Sequence, residues 1–232
     1  MNDLQENIVP VLNQNKEEYY PLTESEQGLR VLFVGNSITK HEPKPSIGWD
    51  RDCGMAASCV ENDYVHLLLE KLRQSDIPIT ASILQVAPFE WEFQTMPVQS
   101  TYEKGRAFGA DVVIMFFGAN VTKSYDADPN PPKTFGAAYE ELRNWLDTGH
   151  TRFFHSQGYY IRPKLDEEKQ AVAEKYGDGF IGIEDIRNRA ETHGMHNHPN
   201  DLGMSEIAQR FWKATELTFK ELASSKGAKA DV

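Results

Sequence analysis

The sequence predicts an α/β fold: a three-layer, flavodoxin-like sandwich around a central five-stranded parallel sheet. Two observations predict it. Short apolar runs alternate along the chain with amphipathic helical stretches, and the two longest loops each follow the end of an apolar run. The composition fits a single core of that kind, since 40% of the 232 residues are hydrophobic and 11% aromatic.

Residues 1–29 read as an N-terminal arm. Met1 to Tyr20 is polar and acidic and lacks the apolar centre of a secretory signal, so a cytoplasmic location is expected. Tyr19-Tyr20-Pro21-Leu22 is expected to pack on the body or on a second copy in a homo-oligomer. The body spans 30–226, and 227–232 form a tail.

Arg30–Val34 is an apolar run closed by the turn signal Gly35-Asn36-Ser37, which reads as a buried strand. Asn62-Asp63 can cap a helix with Val65, Leu68, Leu69 and Leu72 on one face. Ile79–Gln85 is the second strand, Thr101–Phe108 a short helix, and Asp111–Phe117 the third strand, ending at Gly118-Ala119-Asn120. Thr134–Asp147 is a helix that turns Tyr139, Leu142 and Leu146 inward, and Arg152–Ser156 is the fourth strand. Asp166–Tyr176 carries acid early and Lys late, as the helix dipole prefers, and stops at Gly177. Phe180–Ile183 is the fifth strand. The last helix starts near Asp201, with Ile207, Phe211, Ala214 and Leu217 as its apolar stripe. Strands separated by helices require crossover connections, hence parallel pairing with helices on both faces.

Charge narrows the partners. The formal net charge is −11, which disfavours nucleic acid and anionic lipid because both are held by clustered Lys and Arg. The longest apolar run, Val112 to Phe117, is far shorter than the roughly 20 residues of a membrane span. A small-molecule partner remains, with neither membrane nor nucleic acid. Cys53 and Cys59 match no zinc or redox spacing and read as reduced thiols. His193, His196 and His198 cluster without a nearby Cys or a helical i, i+4 His pair, so no metal site is expected.

Open α/β sheets bind ligands beyond the C-terminal ends of their strands. Three segments fall there. Ser37 follows strand one, where its hydroxyl can attack and its N–H can face an oxyanion; a turn or helix cap is the plainer use of Gly-Asn-Ser. Asn120 follows strand three, where its amide can donate to the same oxyanion or simply close a turn. His198-Pro199-Asn200-Asp201 precedes the last helix, so His198 sits just ahead of a rigid element, a suitable mount for a general base. Nucleophile, base and oxyanion donor together supply the parts of acyl transfer.

The long loops Thr39–Glu61 and Tyr125–Lys133 are expected to shape a pocket, with Trp49 on its wall and Trp91 there or in the core. Glu90 and Glu92 would share a face about 7 Å apart on an extended segment, but nothing else supports a glycosidase pair.

The ordered blocks Gly35-Asn36-Ser37-Ile38-Thr39, Gly118-Ala119-Asn120 and His198-Pro199-Asn200-Asp201-Leu202-Gly203 resemble the SGNH hydrolases, also called the GDSL lipase/esterase superfamily, over Arg30 to Leu222. Trp49 to His66 is similar to a bacterial subgroup of uncharacterised hydrolases within it. The resemblance implies ester hydrolysis through an acyl-enzyme, with Ser37 as nucleophile, Asn120 as oxyanion donor and His198 as base, and no cofactor.

Two positions depart from the family pattern. Met195 stands where the family carries an orienting Asp, which leaves a backbone carbonyl, Glu184, Asp185 or Asp201 as candidates to orient His198. No glycine answers the second oxyanion block, and the N–H of Ala87 is the nearest candidate. The favoured substrate is an O-acetyl group on a carbohydrate, on the strength of polar loops and aromatic residues. A short-chain ester or thioester, or an inactive domain that binds a glycan or protein, are the alternatives.

Overall fold

Alternation within one strand sets the layering. Val31 and Phe33 of β2 (Leu29–Gly35) point into one core and Leu32 and Val34 into the other, all of them buried. A strand buried on both faces must sit inside a sheet covered twice. The computed structural model describes residues 19–23 and 28–230, without the side chains of 227–230. The arm's residues 1–18 and the tail's 231–232 lie outside the described residues.

The strands are β1 (Tyr19–Thr23), β2, β3 (Ile79–Gln85), β4 (Val112–Phe116), β5 (Arg152–Ser156) and β6 (Gly179–Ile181), in the spatial order β1-β3-β2-β4-β5-β6. From β3 to β6 all pairs are parallel, which is the expected five-stranded flavodoxin-like sheet. The sixth strand is a correction. β1 belongs to the expected arm and pairs antiparallel with β3, Tyr19 opposite Leu84 and Tyr20 opposite Ile83, with a register shift between Pro21 and Thr23.

The helices are α1 (Tyr64–Gln74), α2 (Ala87–Glu92), α3 (Val98–Thr101), α4 (Glu103–Phe108), α5 (Ser124–Ala127), α6 (Phe135–Leu146), α7 (Pro163–Tyr176), α8 (Glu184–Arg187) and α9 (Asp201–Ala230). On one face α1 and α9 cover Val31, Phe33, Ile83, Ile114 and Phe116 with Val65, Leu68, Leu72, Met204, Ile207 and Phe211. On the other, Phe89, Phe135, Tyr139, Leu142 and Leu165 cover Leu32, Val34, Val113 and Met115.

The N-cap of α1 is Asp63, whose side chain accepts from the N–H of His66 at 2.9 Å, a contact of about 1 kcal/mol. α9 departs from its expected stripe. Ala214 and Leu217 face solvent, while Ile207, Phe211, Thr215 and Phe219 line the buried face. Thr215 occupies an apolar stripe because its hydroxyl donates to the carbonyl of Phe211 at 2.7 Å. Helix α9 also runs through Ala230, so the expected tail begins as helix. Among the described residues, no helix is long and apolar enough to cross a membrane.

Parallel pairing brings the C-terminal ends of β2 and β4 side by side, with Gly35 opposite Phe116. The neighbours of β2, β3 and β4, are reached by connections on opposite faces, so this is the switch point of the sheet.

Candidate active site

Backbone bonds at the end of β2 place Ser37. The side-chain oxygen of Asn36 accepts from the N–H of Ile38 at 3.1 Å, and its carbonyl accepts from Thr39 and Lys40 at 2.9 and 3.0 Å. This Asx turn swings the chain off the strand at once. Only glycine fits at 35, because a Cβ there would overlap the side chain of Thr39. The carbonyl of Ser37 accepts from Met55 at 2.8 Å. Among the described residues nothing accepts from the N–H of Ser37.

His198 arrives from the loop between α8 and α9. Asn200 caps α9 through its side-chain oxygen, which accepts from Gly203 at 3.1 Å, and its amide donates to the carbonyls of Glu191 and His193. The loop turns through two consecutive left-handed residues, His196 at φ 51 and Asn197 at φ 58. Side-chain bonds hold this strained stretch: His196 Nε2 lies 2.9 Å from the carbonyl of Ile47, and Asn197 Oδ1 lies 2.7 Å from His193 Nδ1.

These placements bring Ser37 Oγ to 2.8 Å from His198 Nε2, although 161 residues separate them. On the far side of the ring, Nδ1 lies 2.9 Å from the carbonyl oxygen of His196 and 3.2 Å from the hydroxyl of Tyr160. A carbonyl can only accept, so Nδ1 carries the hydrogen and Nε2 presents a lone pair to the serine. Burial lowers the pKa of His198 to about 4, which keeps the ring neutral at physiological pH. Both side chains are nearly enclosed, each residue 4% exposed.

Beneath this pair lies Glu90, fully buried on α2. Its carboxylate accepts from Asn36 Nδ2 at 3.0 and 3.2 Å, from Asn120 Nδ2 at 2.6 Å, from the N–H of Asn120 at 3.4 Å and from the N–H of Gly118. Burial pushes the Glu90 carboxyl above the usual carboxylate range, and these donors oppose the push. Behind Gly118, the buried ammonium of Lys169 donates to the carbonyls of Phe117 at 3.2 Å and Ser156 at 2.9 Å, so it pins the ends of β4 and β5. It pairs with Asp166 at 3.0 Å, which in turn meets Arg187 at 2.7 Å. Glu90, Lys169, Asp166 and Arg187 thus alternate in sign through the interior, which offsets the cost of burying each.

Several expected site residues lie elsewhere. The N–H of Ala87 is taken by the side chain of Gln85 at 2.9 Å, an Asx-like closure that turns it away from an oxyanion. Asp185 is exposed and pairs with Arg210 at 2.6 Å, and Glu184 is exposed beside it at the start of α8. Asp201 accepts from the N–H and hydroxyl of Ser58 at 2.7 and 2.5 Å, so it ties the long loop to α9 and not to His198. Of the orienting candidates, the backbone carbonyl is the one in contact with the ring.

Trp49 is completely buried, its indole N–H donating to the carbonyl of His41 at 3.0 Å, so it fills core and lines no pocket wall. Trp91 is half-buried, with an indole N–H that meets no acceptor among the described residues. Loop 39–61 is an ordered cover: Cys53, Met55 and Ala57 join the core, and the strandlike bridges His41–Cys53 and Lys44–Trp49 fix its shape. Among the described residues no set of three His, Cys, Asp or Glu converges as a metal site; His193 and His196 are engaged in the loop bonds above.

Tyr160 and Lys169 were not singled out by their sequence pattern, and Glu90 was weighed only as half of a glycosidase pair with Glu92. For Glu90 a signal existed. Pro88 at the first turn of a helix, after Val86-Ala87, marks α2, and a helix separates Glu90 from Glu92 instead of aligning them. Glu90 is accordingly buried and Glu92 exposed, so the two do not share a face.

The fold is that of the SGNH/GDSL hydrolases. Three solved structures share it: a G-D-S-L family protein from Desulfitobacterium hafniense DCB-2 (TM-score 0.52, 14% identity, covering 81% of this chain and 99% of that one), a GDSL-like protein from Parabacteroides merdae ATCC 43184 (0.56, 16%, 84% and 98%), and a family two carbohydrate esterase from Clostridium thermocellum in complex with cellohexaose (0.55, 14%, 85% and 67%). No family model matches the sequence, and no curated protein does.

Proposed function

We propose that the chain is a serine esterase of the SGNH type that hydrolyses small acyl esters through an acyl-enzyme on Ser37, O-acetyl groups on a carbohydrate being the favoured substrates. The observation that carries this reading is the 2.8 Å contact between Ser37 Oγ and His198 Nε2, at the sheet edge where this fold binds ligands.

In the reaction, His198 Nε2 takes the hydroxyl proton as Oγ bonds to the ester carbon, and the carbonyl electron pair moves onto its oxygen. The N–H of Ser37 and the amide of Asn120 donate to that oxyanion. Collapse breaks the bond to the alcohol, which leaves with the proton held on Nε2. Water then attacks the acyl-serine, giving its proton to the same nitrogen, and Oγ departs with it. The bond from Nδ1 to the His196 carbonyl keeps the tautomer needed throughout. A carbonyl stabilises the transient imidazolium less than a carboxylate would, so a Ser–His dyad with modest turnover is the expected machine.

Near-enclosure of Ser37 and His198 favours a small acyl group. The carbohydrate part draws on the neighbour with cellohexaose and on the absence of a long apolar surface segment in the sequence. The test is hydrolysis of p-nitrophenyl acetate and of acetylated sugars by the wild type beside Ser37→Ala. Loss of turnover with an unchanged far-UV CD spectrum is expected; retained activity in Ser37→Ala overturns the assignment. An inactive binding domain is the rival reading, favoured by the lack of a carboxylate on His198. Covalent labelling of Ser37 by a fluorophosphonate probe would exclude it, because capture requires an activated serine.

A further inference from the structure

We infer that Glu90 is a positioning residue of the catalytic site: its buried carboxylate holds the Asn120 amide in place as oxyanion donor and locks the Asn36-Ser37 turn beside it. This rests on the esterase reading above.

Among the described residues, every hydrogen-bond partner of Glu90 is a donor. Asn36 Nδ2, Asn120 Nδ2 and the backbone N–H groups of Gly118 and Asn120 all point at its two oxygens. An ionised carboxylate has only acceptor sites, and a protonated one would set its own hydrogen against these donors. The pocket therefore fits the anion, and the interior ammonium of Lys169 lends it opposite charge.

The positions of those donors give the carboxylate its role. Asn36 immediately precedes the nucleophile at the end of β2, while Gly118 and Asn120 follow β4. One side chain on α2 thus bonds both strand ends that build the site. A free Asn amide rotates about its last torsion and presents oxygen or nitrogen with little preference. Glu90 removes that freedom, because only the nitrogen can face a carboxylate. An Asn amide has two N–H groups; with one fixed on Glu90, the direction of the other is set before substrate arrives. Preorganised donors need no reorientation as charge develops, which is what gives an oxyanion hole its rate advantage. The segment after β3 therefore serves the oxyanion through an acceptor that orients a donor, in place of the N–H that Ala87 spends on Gln85.

The experiment is a double-mutant cycle on p-nitrophenyl acetate, using wild type, Glu90→Gln, Asn120→Ala and the double variant, with Ser37→Ala run alongside. In Glu90→Gln one oxygen becomes an NH2 group that opposes its former donors. Its kcat is expected to fall roughly 10- to 100-fold with little change in KM, and Asn120→Ala to cost about 10²–10³-fold. Because Glu90 acts in part through Asn120, Glu90→Gln should cost markedly less once Asn120 is gone than in its presence, the remainder being its share in the Asn36-Ser37 turn. Costs that simply multiply, or a wild-type kcat in Glu90→Gln, overturn the proposal.

A second measurement needs no variant of Glu90. The side-chain amide of wild-type Asn120, assigned by its loss in Asn120→Ala, should resonate downfield and exchange slowly with water by 15N NMR. A random-coil shift with fast exchange overturns the proposal even if Glu90→Gln does not fold. Activity surviving in Ser37→Ala would instead sink the esterase reading, leaving the NMR result to stand for itself.

Discussion

The Nδ1 atom of His198 lies 2.9 Å from the carbonyl oxygen of His196, two residues earlier in the same loop. A backbone oxygen occupies the place where Met195 and its neighbours supply no carboxylate. That substitution has consequences for pH, because among the described residues nothing negative touches the ring to raise its pKa, while burial lowers it to about 4.

The first prediction concerns that titration. A general base works in its neutral form, so the acid limb of kcat/KM should fall with an apparent pKa near 4 and not near the ordinary 6.5. A profile on p-nitrophenyl acetate from roughly pH 3.5 to 8 checks this, and an inflection at 6.5 would contradict the buried, carbonyl-held ring. Linkage gives the matching stability trend. The folded pKa lies below the unfolded one, so the contribution of His198 is intact above 6.5 and is lost as pH falls toward about 4.

Tyr160 holds the same loop. Its hydroxyl donates to the His196 carbonyl at 3.4 Å and stands 3.2 Å from Nδ1. Tyr160→Phe removes that contact while keeping the ring, so kcat should drop roughly 2- to 10-fold with KM little changed. Steady-state kinetics read it; an unchanged kcat would mean that the carbonyl alone orients the histidine.

Two acidic residues should prove separable from catalysis. Asp185 is paired with Arg210 at the surface, so Asp185→Asn should leave kcat at the wild-type value. Asp201 binds Ser58 and Asn62, so Asp201→Ala should cost about 1–2 kcal/mol in a urea titration through lost loop anchoring. A large kcat loss in Asp185→Asn would reinstate it as an orienting acid.

Lys169 is predicted to matter for folding. Lys169→Met leaves Asp166 and Arg187 in place but strips the ammonium from the carbonyls of Phe117 and Ser156. Breaking a buried pair on one side typically costs about 3–5 kcal/mol, and denaturant unfolding should show a loss of that order. A near-neutral result would place the charge alternation outside the stability of the site.

The five parallel strands could be read from the sequence because each is a short apolar run with a turn signal behind it, and Ile79–Gln85 and Arg152–Ser156 match to the residue. Ser37, Asn120 and His198 were legible for a related reason: strand ends in a parallel sheet meet, so residues far apart in sequence share an edge. β1 was not legible as a strand, since Tyr-Tyr-Pro-Leu carries no alternation and its pairing partner lies about 60 residues on. Trp49 was misread because polar neighbours suggested a loop at the surface, whereas that loop folds back as cover for the core. Lys169 and the buried role of Glu90 escaped because a buried charge is defined by its partners, and these come from the ends of β2, β4 and β5 and from α7, which no local pattern joins. The orienting carbonyl of His196 is invisible in principle, as every residue has one.

The antiparallel strand β1 bears on how the protein behaves in a crowd. It stands at the border of the sheet and shields β3, whose residues Ile79 to Gln85 would otherwise offer a row of unpaired amides to any other chain. β1 is itself a poor template: Pro21 lacks an N–H to donate, and the shift in register before Thr23 interrupts the ladder. A chain shortened to begin at Gly28 would expose β3 as a longer, apolar margin without either interruption. Its vulnerability would then be self-association, strand against strand, before any change at Ser37 was felt.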